Sequence, residues 1–178
     1  ILHYSHFLEL LFKYYVSQKH ELLIYKNPFE LITAEQISSC LDEFRGEIMQ
    51  KPPAYSALKH KGKPLYYYAR KGIKVEKEPR RVTIHELTRE DAATDVRGDN
   101  PYIQLRVVCS KGTYIRTLAD DIGARLGCGA YLKELRRTRS GPFNLDRAID
   151  GDDLLDKEKR DLILERVLTL EDVGNLLQ

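Results

Sequence analysis

Apolar residues recur at helical spacing most clearly between positions 33 and 46. Ile37, Cys40, Leu41 and Phe44 stand at i, i+3, i+4 and i+7, one face of a helix. Thr33 precedes them with Gln36 three residues on, the pattern of a capping box, and Gly46 is placed to close the helix. A second stripe of Ile115, Leu118, Ala119, Ile122 and Leu126 predicts a helix over 115–126, broken by Gly127, Cys128 and Gly129. Period-two alternation predicts strands elsewhere. Over 81–87 it puts Val82, Ile84 and Glu86 on one side and Thr83, His85 and Leu87 on the other. Residues 102–108 pair with that strand across the polar, acidic stretch 89–100. Residues 130–139 alternate with Tyr131, Lys133, Leu135 and Arg137 on one face. Shorter strand-like pieces lie at 13–17, 23–25 and 73–76, with a patternless polar stretch at 17–22. Residues 1–11 read as the end of a helix, and 65–70 as a short Tyr-rich helix ended by Gly72. After Asp150 only short helical pieces follow, at 152–155 and 162–167, then a last turn opened by Thr169 with Asp172 at its third position.

Between the 102–108 strand and the 115–126 helix lies Ser110-Lys111-Gly112-Thr113-Tyr114-Ile115-Arg116-Thr117. Strand, glycine turn and helix start together make a place to hold a charged group. Gly112 permits the tight turn, and Thr113 is expected to cap the helix. Arg116 projects from the first turn, where its fork of donors suits a carboxylate or a phosphate; the plain alternative is a solvated surface residue. Asp120 and Asp121 are adjacent and so point about 100° apart on a helix, which makes them no paired-carboxylate site. Upstream, Gln50-Lys51-Pro52-Pro53-Ala54-Tyr55-Ser56 is stiffened into an extended segment by its two prolines, with Tyr55 and Ser56 expected to be exposed.

The 178 residues suffice for a sizeable core, as one domain or one domain with an appendage. The first residue is Ile, so the natural start is expected to be missing, and residues 1–15 do not read as a signal peptide. No apolar run is long enough to cross a membrane. Three widely spaced cysteines suggest reduced, buried thiols in a cytoplasmic protein. His3 and His6 have helical spacing but no third ligand, so no metal site is expected. The net charge of +2 is unevenly spread: residues 51–81 hold ten Lys and Arg against two acids, and residues 111–139 seven against three. Two basic blocks on an otherwise acidic chain suggest a polyanion, and the aromatics interleaved in the first favour nucleic acid; a solvated lysine-rich face is the plainer reading.

Four segments together resemble one family, the bacterial-type tRNA pseudouridine-55 synthases (the TruB family). They are Phe44-Arg45-Gly46 leading into Gln50 through Lys59; Gly62-Lys63-Pro64-Leu65-Tyr66 through Arg70; the 110–117 segment; and Leu126-Gly127-Cys128-Gly129-Ala130 through Arg139. The resemblance implies an α+β fold, pseudouridine-synthase-like, with a mixed, largely antiparallel sheet and flanking helices. It implies a catalytic domain over 1–150 and a helical tail over 151–178 leading towards a C-terminal RNA-binding domain not included here. It implies a cytoplasmic monomer that acts on the T arm of tRNA, isomerising uridine 55 without metal or cofactor. Members flip the target base, detach it, rotate it and rejoin it through C5, using an aspartate as the essential group. By resemblance Arg116 is the arginine that holds that aspartate. Tyr15 is the tyrosine stacked on the base, with Tyr14 as the register alternative. Tyr114 contacts the base, Leu135 lines the pocket, and Lys59, Lys61, Lys63, Arg136 and Arg137 meet RNA phosphates. No segment matches the loop that carries the aspartate, so these residues alone are expected to be inactive; the alternative is a synthase-like module that grips the T arm without catalysis.

Overall fold

The computed structural model describes residues 16–24, 31–91, 94–96, 101–156 and 159–176. Its elements are β1 (Val16–Ile24), α1 (Ala34–Glu43), β2 (Gly46–Gln50), β3 (Lys59–His60), β4 (Lys63–Pro64), α2 (Leu65–Arg70), β5 (Arg80–Arg89), β6 (Tyr102–Cys109), α3 (Ile115–Arg125), β7 (Ala130–Ser140), β8 (Phe143–Asn144), α4 (Arg160–Arg166) and α5 (Leu170–Leu176). Six strands form one sheet in the order β2-β5-β6-β1-β7-β8, and β3 and β4 form a separate hairpin. Every pairing among the described strands is antiparallel. This is the expected α+β architecture.

β1 is the strand least visible in the sequence. The stretch 17–22 has no pattern of its own, yet β1 runs unbroken through it, paired on one edge with β6 and on the other with β7. Two partners decide the conformation where local propensity does not. Since β6 and β7 both run antiparallel to β1, they are parallel to each other, and α3 makes the crossover between them.

The core lies between the sheet and helices α1 and α3. Ile37, Cys40 and Leu41 of α1 meet Leu118, Ala119 and Ile122 of α3 over Ile103, Leu105 and Val107 of β6. The capping box forms as expected: Gln36 N–H donates to Thr33 Oγ1 at 3.2 Å, and Thr33 N–H to Gln36 Oε1 at 2.8 Å. Gly123 lets α3 lie directly on the start of β7, since a Cβ there would stand 2.1 Å from the Ala130 nitrogen.

Three strand readings are corrected. In β5 a bulge between Ile84 and Glu86 shifts the alternation, so Leu87 joins Val82 and Ile84 in the core while Glu86 faces out. Residues 73–76 form no strand: no neighbouring edge receives them, Ile73 N–H bonds back to Tyr68 O, and Glu76 pairs with Lys74 and Lys51. In β7 extra residues at Lys133 and Thr138 break the register against β1. Tyr131 therefore lies opposite Leu23, whereas Leu135 and Arg137 lie opposite His20 and Gln18. Leu135 and Arg137 share one face, and Tyr131 is on the other.

Candidate functional site

The site grows from the end of β6. Ser110 continues the sheet, its N–H donating to Thr83 O at 2.8 Å while its Oγ accepts from Thr83 N–H at 2.9 Å. Gly112 then turns the chain at φ +79°. The Thr113 hydroxyl donates back to Ser110 O at 2.8 Å, inside the turn. It therefore does not cap α3, contrary to the sequence reading; Tyr114 holds the cap position with no side-chain cap.

The 50–59 segment docks on this turn. Gln50 is 1 % exposed, and its amide grips the Tyr114 backbone on both sides. Its Oε1 accepts from Tyr114 N–H at 2.7 Å, and its Nε2 donates to Tyr114 O at 3.0 Å. Thr117 Oγ1 donates to Lys51 O at 3.4 Å, and Arg116 Nη2 donates to Tyr55 O at 2.6 Å. Among the described residues, the exposed Arg116 guanidinium meets this carbonyl and no carboxylate. Arg80 closes the ring, donating from Nη2 to Gly112 O at 2.6 Å with its guanidinium 5.0 Å from the centre of the Tyr114 ring. Gln50 and Arg80 carried no role in the sequence reading. The signal for Gln50 was present: it stands two residues beyond the half-buried Ile48 on one strand, and a polar residue on an inward face needs partners. Ser56, expected outside, is buried, because Tyr66 N–H bonds to Ser56 O and brings α2 over it; Tyr55 is exposed as expected.

The hairpin beyond is different in kind. Lys61 at φ +46° and Gly62 at φ +79° form its two-residue turn, the left-handed pair that joins tightly twisted strands. Lys59, Lys61 and Lys63 all project into solvent. Behind them α2 stacks tyrosines: Tyr68 Oη donates to His60 O at 3.0 Å, and the Tyr67 and Tyr68 rings meet edge to face. Lys63 Nζ donates to Tyr67 Oη at 3.1 Å and sits 4.3 Å from that ring's centre, with Lys71 Nζ at 4.6 Å. The hydrogen bonds from Lys71 and then Lys63 pull the Tyr67 phenol down to about 8.

On β7, Leu135 is 47 % exposed on the face that carries α3, with Arg137; Arg136 lies on the opposite face. The basic pair of the sequence is thus divided between two sides of the sheet. Tyr15 and Tyr14 lie outside the described residues. Burial, with Asp120 adding to it, raises the Asp121 carboxyl. Burial and then the Glu43 charge push the Cys40 thiol up to about 11, too high for a nucleophile. The described residues contain no group of three or more His, Cys, Asp or Glu suited to a metal, and no helix among them is long and apolar enough to cross a membrane.

Two family models account for nearly the whole chain. The N-terminal domain of the TruB family pseudouridylate synthases matches residues 3–115, and the C-terminal domain of tRNA pseudouridylate synthase B matches 116–175. Over 145 residues the chain is 55 % identical to tRNA pseudouridine synthase B of Desulfotalea psychrophila, covering 82 % of this chain and 58 % of that one. Over 118 residues it is 57 % identical to the protein of the same description from Azoarcus sp., covering 66 % of this chain and 37 % of that one. The chain thus spans little more than half of the first relative and about a third of the second. Among solved structures, a chain of a Cbf5-Nop10-Gar1 complex superposes with a TM-score of 0.64 at 27 % identity, covering 89 % of this chain and 42 % of that one.

Proposed function

Since this chain belongs to the TruB family of pseudouridylate synthases, we propose that it is a tRNA pseudouridine synthase domain that receives uridine 55 of the T arm. The observation that carries the reading is the docking of the 50–59 segment on the 110–117 turn, which brings Tyr55, Tyr114 and Arg116 to one place. Tyr114 contacts the flipped base, with Tyr15 stacking on it, and Leu135 lines the pocket from β7. Arg116 takes the family's catalytic carboxylate. A guanidinium keeps a carboxylate ionised and aimed, because a close cation lowers its pKa. The base is released from C1′, turned and rejoined through C5, an isomerisation in which substrate and product have the same atoms. Lys59, Lys61, Lys63 and Arg137 hold phosphates, with Arg136 contacting RNA from the far face of β7. The catalytic domain spans 1–150, with 151–178 as a helical tail. The three cysteines are buried and none is in a disulfide, which supports a reducing compartment such as the cytoplasm.

The test is a pair of titrations. The T-arm stem–loop is expected to bind at least about tenfold tighter than an unrelated hairpin of equal length, a preference well below the roughly thousandfold or more of fully specific nucleic-acid recognition. Equal affinities overturn the reading. Tritium release from C5-labelled uridine reports turnover. None is expected from these residues alone, because no residue matches the family's nucleophilic aspartate. Release would show that a carboxylate within the chain does the work.

A further inference from the structure

The ring of contacts around Tyr114 does more than join two loops. We infer that Gln50 and Arg80 are positioning residues that fix Tyr114 for the target base, a role that rests on Tyr114 being the base contact. Gln50 is buried, and its amide satisfies both backbone groups of Tyr114, so the residue cannot rotate about its flanking peptides without leaving a buried amide unpaired. Those bonds cross from the end of β2 to the start of α3, a separation of 64 residues. Arg80 acts on the side chain. Its guanidinium covers one face of the Tyr114 ring at 5.0 Å, and its Nη2 anchors to Gly112 O. Its Nε is buried without a partner, so it is held by the ring and one carbonyl rather than by an anion. A cation on one face of an aromatic ring leaves the other face for a second π-system, and a uracil is one. The backbone is clamped and one ring face is covered, which leaves Tyr114 one face to offer. Gly112 belongs to the same device, because a Cβ there would stand 3.3 Å from Arg80 Nη2.

The experiment compares two T-arm stem–loops, one with uridine at the target position and one abasic there. The variants are Gln50→Glu, which accepts from Tyr114 N–H but cannot donate to Tyr114 O, and Arg80→Lys, which keeps the charge and loses the flat guanidinium. Each is expected to weaken the uridine-bearing RNA by about tenfold, the scale of one base–aromatic stack, and the abasic RNA by less than about twofold. In a Tyr114→Ala background neither is expected to add to the loss, since all three act through one contact. Circular dichroism checks that each variant folds; should Gln50→Glu fail to fold, Arg80→Lys decides alone. Equal weakening of both RNAs, or of neither, overturns the positioning role while the T-arm preference of the unaltered chain stands. A Tyr114→Ala variant that binds both RNAs as the unaltered chain does removes Tyr114 as the base contact, and this inference with it.

Discussion

The 50–59 half of the junction around Tyr114 runs straight into the hairpin of β3 and β4, yet junction and hairpin are built on opposite physics. The junction is closed by short hydrogen bonds to backbone atoms, with a buried amide at its centre and a glycine turn at its edge. The hairpin has lysines in water, tyrosines behind them and no salt bridge to an acid at Lys59, Lys61 or Lys63 among the described residues. One region fixes direction, which the proposed uridine contact requires. The other supplies charge with reach, which a phosphate backbone requires. The two should therefore fail differently when altered.

The largest effect is expected beneath the junction. Gly123→Ala drives a Cβ into the Ala130 backbone and pushes α3, with Arg116 on it, off β7. Thermal unfolding should show a loss of about 3 kcal/mol or more, the upper range for overpacking. Unchanged stability would mean that the close approach is not there. Next, Gln50→Leu leaves the Tyr114 N–H without a partner, while the Tyr114 C=O keeps only its bond from Leu118 N–H, and should cost about 1–3 kcal/mol. Its effect on RNA binding should be confined to base-dependent affinity. The hairpin behaves otherwise. Lys59→Gln with Lys63→Gln should leave stability unmoved and lower the slope of log affinity against log salt by roughly one to two. An unchanged slope would remove these lysines from the RNA face.

The smallest effect is a titration. The Tyr67 phenol, held near 8 by Lys71 and Lys63, becomes a phenolate as pH rises through that value. It then places a negative charge between two ammonium groups. RNA affinity should fall across this range more steeply in the natural chain than in Tyr67→Phe. Ultraviolet difference absorbance should show one tyrosine ionising well before the rest. If Tyr67→Phe retains that early step, another tyrosine carries it.

What was legible in the sequence was what is local. The capping box of Thr33 and Gln36 and the buried stripe of α3 depend on contacts three or four residues apart, and both formed. The motif residues of the 50–59 and 110–117 segments were also visible as types suited to a charged substrate. What stayed hidden depends on distant partners. β1 is a strand because β6 and β7 border it, not because of its own side chains. The β7 bulge at Lys133 separates Tyr131 from Leu135 only once β1 sets the register. Thr113 stands where a helix cap is expected, yet its hydroxyl serves the turn. Gln50 reads as one polar residue in a strand until Tyr114 arrives beside it.

In the proposed complex the target uridine meets the Tyr114 side of the molecule while the hairpin holds only backbone. Photo-crosslinking tests this directly, using a T-arm stem–loop with 5-bromouridine at the target position and mass analysis of the attached peptide. Attachment is expected within the 110–117 segment and is expected to be lost in Tyr114→Ala. Attachment to the hairpin, or a yield indifferent to Tyr114, would contradict it.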